Sequence, residues 1–115
     1  MHTVGDVDSV VLILSTVAER ADAERIADEL LKARAAACVG ILPALESHYV
    51  WNNQRECASE FLLLVKTSAD HAKECQRLLR ALHPYECPEI LAFPASSAGA
   101  DYARWVARSV GTPER

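Results

Sequence analysis

The chain concentrates its reactive side chains in one short run, His83 to Glu89, which reads His-Pro-Tyr-Glu-Cys-Pro-Glu. The run holds one imidazole, two carboxylates, a thiol and a phenol. Each proline fixes its own φ and pushes the residue before it out of the α region, so His83 and Cys87 are predicted to be extended. An imidazole beside a carboxylate is a donor pair that suits Cu(II) or Zn(II). A stiff segment rich in donors is typical of a binding site.

The same run also fits a structural role. It follows a predicted helix and precedes a predicted strand, so it could act as a helix exit. In that interpretation His83 lies near the last carbonyls of the helix, and Tyr85 packs against a neighbour. The residues alone leave both interpretations open.

Length and composition narrow the class of protein. The chain has 115 residues, with 12 Lys and Arg against 16 Asp and Glu, for a formal net charge of −4. One domain fits this length, and a surface with this charge balance disfavours nucleic acid as the main partner. Neither an apolar run long enough to span a membrane nor a signal-peptide pattern is visible, so a cytoplasmic location is expected by default.

The cysteines show neither a metal-binding spacing nor a disulfide framework, and free thiols are expected. Cys38 lies in an apolar, alanine-rich stretch and is expected in the core. Cys57 and Cys75 are interpreted as incidental to the chemistry, and Cys75 is expected on the core stripe of the second predicted helix, with Leu79. His48 and His71 are expected to be solvated surface side chains.

The hydrophobic periodicity predicts seven elements. Ser9 to Val17 is a continuous apolar run that favours a central strand. Pro43 indicates a bulge in one long strand, and Asn52 with Asn53 indicates the turn of a projecting hairpin. The predicted strands are 9–17, 36–51, 60–67 and 90–95, and the predicted helices are 20–34, 68–83 and 101–110, the second capped by Ser68 and the third followed by Gly111 at C′.

The resulting order β-α-β-β-α-β-α is the split β-α-β arrangement of ferredoxin-like α+β folds, an antiparallel sheet with two helices on one face and one additional helix. The domain is predicted over residues 9–110, with flexible termini at 1–8 and 111–115. Alternate residues of Phe61 to Val65 are apolar on both faces of the sheet, so the face without helices needs a partner. The sequence therefore predicts an oligomer.

Several segments together resemble the CutA family of divalent-cation-tolerance proteins. They are Ala35 to Val39, Ser47 to Trp51, Glu60 to Thr67, His83 to Ile90 and Tyr102 to Trp105. The resemblance implies a homotrimer similar in build to PII signalling proteins, binding of copper or another divalent cation, and a role in metal tolerance. No catalytic activity is firmly attached to that family.

The resemblance also carries site residues over to this chain. It implies that His83 and Glu86 are the metal ligands, and that the other site residues line a cleft between subunits. Lys66 is expected to pair with Glu86 or Glu89, or to bind an anion. Ser15 and Leu82 replace a cysteine and a histidine of some copper-associated members, which predicts modest affinity. The further cleft residues are Tyr49, Trp51, Lys66, Tyr85 and Glu89.

Three classes of function follow. The first is a trimeric, non-enzymatic protein of copper tolerance. The second is a PII-like regulator that binds a small anionic ligand in the inter-subunit cleft through Lys66 and Trp51. The third is an enzyme that uses His83 with Glu86 as acid and base, and it is the weakest because the sequence lacks a nucleophile elbow, a phosphate-binding loop and a dinucleotide fingerprint.

Overall fold

The elements occur in the predicted order in the computed structural model, which describes residues 9–112. A 3₁₀ turn, Ala69–His71, leads into the second helix. Within the described range no helix is long and apolar enough to cross a membrane. The strands are β1 (Val10–Val17), β2 (Cys38–Trp51), β3 (Gln54–Ser68) and β4 (Leu91–Pro94), and the helices are α1 (Arg20–Lys32), α2 (Ala72–Leu82) and α3 (Ala100–Ser109).

The four strands form one antiparallel sheet in the order β2-β3-β1-β4. Strand β1 has a neighbour on each side, as its continuous apolar sequence predicts. This arrangement is the ferredoxin-like α+β fold. The short strand β4 begins one residue after the run from His83 to Glu89, so that run leads into the edge of the sheet.

The main core lies between the sheet and the first two helices. Alternate residues of a strand point to opposite faces, and Val11 and Ile13 of β1 pack on Ile26 of α1 and Leu79 of α2. Val10 points the other way and packs on Val106 of α3. Helices α1 and α2 therefore cover one face, and α3 covers only part of the other.

The second face of the sheet is apolar and incompletely covered. Leu42, Leu91 and Phe93 are exposed on it, at 53%, 49% and 47% of their full area. The β1 and β3 leucines between them are half-buried. The prediction of an exposed apolar sheet face is thus confirmed, and the partner that would cover it stays a prediction.

A long hairpin of β2 and β3 projects from the body. Asn52 and Asn53 have φ of 51° and 65°, which matches the type I′ turn that best suits a two-residue hairpin loop. The register shifts between Leu42 and Leu45, where the bulge at Pro43 was predicted. The radius of gyration is 15.2 Å, against about 13 Å for a compact domain of this length. The hairpin accounts for the 50 Å long axis.

Two local predictions near α2 are wrong. Ser68 makes no capping hydrogen bond, and its Oγ lies 3.0 Å from Nδ1 of His71 instead. His71 is half-buried rather than solvated. Its ring lies against the backbone of Gly111, so closely that a Cβ added there would lie 2.6 Å from Nε2. Burial of the ring at the junction with α3 explains why it is not a free surface side chain.

The junction at the end of α3 matches the sequence. Gly111 has a φ of +78° and follows the C-cap Val110, which makes it the predicted C′ residue. Its N–H donates to the Arg34 carbonyl over 2.9 Å, and Arg34 Nε donates back to the Gly111 carbonyl. Of the predicted flexible termini, residues 1–8 and 113–115 lie outside the described range.

Candidate functional site

His83 is anchored by hydrogen bonds at both ring nitrogens. The residue leaves α2 with extended backbone, at φ −76° and ψ 135°, as the following proline requires. Its Nε2 donates to the Thr16 carbonyl over 2.9 Å, and its Nδ1 accepts the Tyr85 backbone N–H over 3.1 Å. These partners define a neutral imidazole with the proton on Nε2.

The surroundings of His83 favour that neutral form. Burial lowers the pKa of the imidazole, and the positive charge of Arg80 adds to the effect. The Thr16 carbonyl acts in the opposite direction, as do the carboxylates of Asp22 and Glu60. The ring has no nitrogen lone pair left for a metal in this conformation. Its predicted role as a ligand stays a prediction that requires the loss of one hydrogen bond, and the observed geometry makes it a positioning residue.

Tyr85 ties the same segment to the hairpin base. Its hydroxyl donates to Glu60 Oε2 over 2.5 Å, and its ring meets that of His83 edge-on, with centroids 4.8 Å apart. Burial raises the pKa of the Tyr85 phenol, and the bond to Glu60 raises it further. The phenol therefore stays protonated and works as a fixed donor.

These anchors place the proline-rich run beside the hairpin, where a cavity of about 620 Å³ opens. Five of the predicted site residues line it together, and His83 and Lys66 are not part of its lining. Thr16, Ser47, His48 and Glu60 complete one side, and Cys87 the other. The predicted residues brought together are Tyr49, Trp51, Tyr85, Glu86 and Glu89.

The lining has a clear electrostatic character. It includes the carboxylates of Glu60, Glu86 and Glu89 and the thiol of Cys87, and neither Lys nor Arg is among the lining residues. Glu86, Cys87 and Glu89 are exposed, whereas Glu60 is buried under Tyr85. Oxygen and sulfur donors without a competing cation attract a metal ion rather than an anion. The arrangement is a candidate cation site.

The structure corrects the expectation for Lys66. Its Nζ lies 3.9 Å from the Sγ of Cys38, its partner across the β2–β3 ladder. The pairing with Glu86 or Glu89 that the sequence suggested is therefore not observed. Cross-strand neighbours are set by register, and the register at this point was not part of the prediction.

One of the thiols differs from expectation. Cys38 is half-buried, so its placement in the core is wrong. Cys75, on the predicted core stripe of the second helix, is fully buried between α2 and the sheet, and burial raises its pKa to about 12. Cys57 and Cys87 are exposed. The helical spacing of Cys75 with Leu79 predicted the burial of Cys75, which is confirmed.

Sequence reasoning missed two features of the site. Glu60 begins the apolar part of β3 and gave no sign of pairing with Tyr85. His48 and Cys57 were read separately, although a two-residue loop at Asn52 and Asn53 places them directly opposite each other. The turn was the signal that could have found this second pair.

The fold and the cavity define a class: a small ferredoxin-like α+β domain with a projecting hairpin and an acidic cavity at the base of the hairpin. Residues 11–109 match the family model described as CutA1 divalent ion tolerance protein. The chain belongs to this CutA1 family, as the resemblance of its segments indicated.

Relatives extend over most of the chain. The divalent-cation tolerance protein CutA of Pectobacterium atrosepticum is 39% identical over 100 residues, which cover 87% of this chain and 91% of that protein. The CutA structure from Xylella fastidiosa has a TM-score of 0.86 at 38% identity, over 89% of this chain and 98% of that one. CutA1 from Oryza sativa has a TM-score of 0.85 at 28% identity, over 90% and 94%. These similarities support a role in divalent-cation tolerance.

Proposed function

We propose that the chain is the subunit of a homotrimer that binds a divalent cation, with copper(II) as the leading candidate, in the service of metal tolerance. The acidic lining of the cavity carries this proposal. Three carboxylates and a thiol face the cavity, and its lining contains neither Lys nor Arg. A divalent cation would offset the repulsion among these groups.

Glu86 is the proposed first ligand, with Glu89 and Cys87 beside it. All three are exposed within the cavity, so a cation reaches them without displacing a buried contact. His83 supports them by holding the backbone of Tyr85. Tyr49 and Trp51 of the hairpin provide an apolar wall that shields the cation from water.

The trimer rests on the second face of the sheet. Leu42, Leu91 and Phe93 are exposed there beside half-buried leucines of β1 and β3. An apolar surface of this kind is typical of an interface. Since the cavity is open in one subunit, donors from a neighbouring subunit would complete the coordination sphere.

The PII-like alternative, an anionic ligand held by Lys66 and Trp51, finds less support. Trp51 lines the cavity, but Lys66 does not, and its amine lies by Cys38. An anion placed beside Trp51 would face the carboxylates of Glu86 and Glu89.

A cytoplasmic location is also part of the proposal. The described chain contains four free cysteines, and Cys57 and Cys87 among them are exposed. Exposed thiols persist in a reducing compartment. Cell fractionation that recovered the protein outside the cytoplasm would contradict this part.

Calorimetric titration with Cu(II) and Zn(II) tests the cation site. We expect Glu86→Gln and Glu89→Gln each to weaken binding about tenfold, or about 1.4 kcal/mol, because each removes one negative donor. Glu24→Gln on the exposed surface of α1 is the matched control and should bind like the parent. Unchanged affinity in both cavity variants would remove the cavity as the site.

Electron paramagnetic resonance of the Cu(II) complex decides the role of His83. If His83 only positions the segment, His83→Gln should leave the nitrogen coupling of the copper signal unchanged. Loss of that coupling in His83→Gln, with retention in His48→Ala, would instead make His83 a ligand. A parallel nucleotide titration of the parent and Lys66→Ala tests the anionic alternative.

A further inference from the structure

The outer part of the hairpin brings three different metal-binding side chains to one point. Glu46 and His48 are two residues apart on β2 and therefore share a face, and Cys57 lies directly opposite His48 on β3. One carboxylate oxygen, one ring nitrogen and one sulfur lie within 4.8 Å of one another. This Glu46–His48–Cys57 cluster is exposed to solvent.

The atoms already approach the spacing of a tetrahedral site. His48 Nε2 lies 2.9 Å from Glu46 Oε1 and 3.7 Å from Cys57 Sγ. Tetrahedral zinc with ordinary bond lengths places such donor atoms about 3.3 to 3.6 Å apart. Movements of up to about one ångström, within exposed side chains, would centre the donors on an ion. The rigid β2–β3 ladder holds their backbones in place.

The chemistry of the set favours a borderline-soft divalent cation. Nitrogen, thiolate sulfur and carboxylate oxygen are all zinc donors, and three protein ligands leave the fourth tetrahedral position to water. The carboxylate and the thiolate together neutralise two positive charges. The ion would replace the proton of the Cys57 thiol, which passes to the buffer.

Arg55 controls the state of the imidazole. Its guanidinium donates to His48 Nδ1 over 3.1 Å, so in this state the ring proton is on Nε2 and points at Glu46. A cation on Nε2 requires the other tautomer, with the proton on Nδ1. Arginine has no acceptor for that proton, so it must swing away when metal binds.

From this geometry we infer that the Glu46–His48–Cys57 cluster is a second metal site, selective for zinc-like divalent cations and opposed by Arg55. It shares no ligand with the proposed cation site, since Glu86, Cys87 and Glu89 do not take part. His48 also borders the cavity, whereas Glu46 and Cys57 are not among its lining residues. The alternation of β2 places Glu46 and His48 on the face opposite Ser47, Tyr49 and Trp51.

Cobalt(II) is the probe, because a thiolate ligand gives it a charge-transfer band in the near ultraviolet. The full-length protein should develop this band with one Co(II) per chain, and excess Zn(II) should abolish it. Cys57→Ser should lose the band, and His48→Ala should weaken Co(II) binding at least tenfold. Cys38→Ser, which removes a thiol outside both proposed sites, is the control and should keep the band. Cys87→Ser removes the thiol of the proposed cavity site and should keep the band that comes from Cys57.

Arg55 variants should bind Zn(II) more tightly, a result that is not expected if the cluster only stabilises the hairpin. Arg55→Gln removes the competing donor, and Arg55→Glu supplies an acceptor for the Nδ1 proton, as second-shell carboxylates do for zinc-bound histidines. We expect Arg55→Glu to bind Zn(II) about tenfold more tightly than the parent, with Arg55→Gln between them.

Two results would overturn the inference. One is the absence of the charge-transfer band in the parent, and the other is a band that persists in Cys57→Ser but disappears in Cys87→Ser. The second result would place the metal in the cavity and support the proposed function instead. Glu86→Gln separates the sites further, because it should leave the cobalt band unchanged.

Discussion

At the scale of single residues, the neutral imidazole of His83 links folding to pH. The folded ring is held below its ordinary pKa chiefly by burial, whereas the unfolded ring has a pKa near 6.5. Below about pH 6.5 the unfolded chain therefore takes up a proton that the folded chain does not. The contribution of the neutral His83 ring to the free energy of unfolding is fully present above that pH, and it is lost as the pH falls toward the pKa of the folded state.

Urea unfolding between pH 8 and pH 5, at fixed protein concentration, measures this effect. The parent should lose stability on acidification, with a slope of at most about 1.4 kcal/mol per pH unit from this one proton. His83→Gln keeps a donor for the Thr16 carbonyl but does not titrate, so its slope should be flatter. His48→Gln removes an exposed imidazole and should behave like the parent. Parallel curves for the parent and His83→Gln would show that His83 carries no linkage.

A second residue-scale prediction concerns two buried hydroxyls, one of which destabilises the fold while the other stabilises it. Ser15 is fully buried, and its Oγ finds no hydrogen-bond partner among the described residues. Ser15→Ala should thus raise the free energy of unfolding by about 1 kcal/mol, because an unpaired buried polar group is costly. Chemical denaturation of the variant measures the change.

Thr67 is the matched comparison. It is equally buried, but its Oγ1 donates to the Ala35 carbonyl over 2.7 Å. Thr67→Val should cost about 1 to 3 kcal/mol, because it leaves that carbonyl unpaired. If Ser15→Ala destabilised the protein as much as Thr67→Val, the Ser15 hydroxyl would have a partner that the subunit alone does not provide.

At the scale of elements, the end of α3 depends on a glycine. Gly111 has a φ of +78°, and a Cβ there would lie 2.6 Å from His71 Nε2. Gly111→Ala should lower the free energy of unfolding by about 2 kcal/mol, from left-handed backbone strain and the clash together. Thermal and urea unfolding measure the loss.

Two comparisons separate the causes. Gly99→Ala, before α3, has open space around the new methyl group, and should stay within about 1 kcal/mol of the parent. In the His71→Ala background the clash is gone but the backbone strain remains. Gly111→Ala should therefore lower the free energy of unfolding by less in that background than in the parent. An equal loss in both backgrounds would assign the whole loss to the backbone.

At the scale of the whole molecule, the exposed second face of the sheet predicts the assembly. Light scattering should give three times the 12.6 kDa mass of one chain. Leu42→Glu places a charge on that face and should shift the mass toward the monomer. Leu31→Glu on α1 is the matched control, because Leu31 is similarly exposed, at 43% against 53%, but lies on the opposite layer.

If Leu42→Glu does not fold, the parent still tests the assembly. An obligate trimer is stabilised by mass action, so its unfolding midpoint should rise with protein concentration. A midpoint independent of concentration, together with a monomer mass, would show that the apolar face is not an interface between copies.

The sequence by itself determined the elements and their order. Hydrophobic periodicity marked β1 as central, Pro43 as a bulge, Asn52 and Asn53 as the hairpin turn, and Gly111 as the end of the last helix. These features are local, since they depend on the period of a strand or a helix and on the φ that a residue tolerates. Boundaries differ by a few residues, most in β3, which extends back to Gln54.

Only the tertiary structure decided which side chains meet. The composition of the run from His83 to Glu89 marked it as a candidate site. Its hydrogen-bond partners could not be predicted, because His83 bonds to Thr16 and Tyr85 to Glu60, which lie far away in sequence. Lys66 met Cys38, rather than a glutamate, because the strand register placed them opposite each other. Such contacts depend on how strands are paired and helices are packed across the sheet. A local pattern supplies the reactive groups, and long-range packing alone determines whether their lone pairs and charges remain free to bind a ligand.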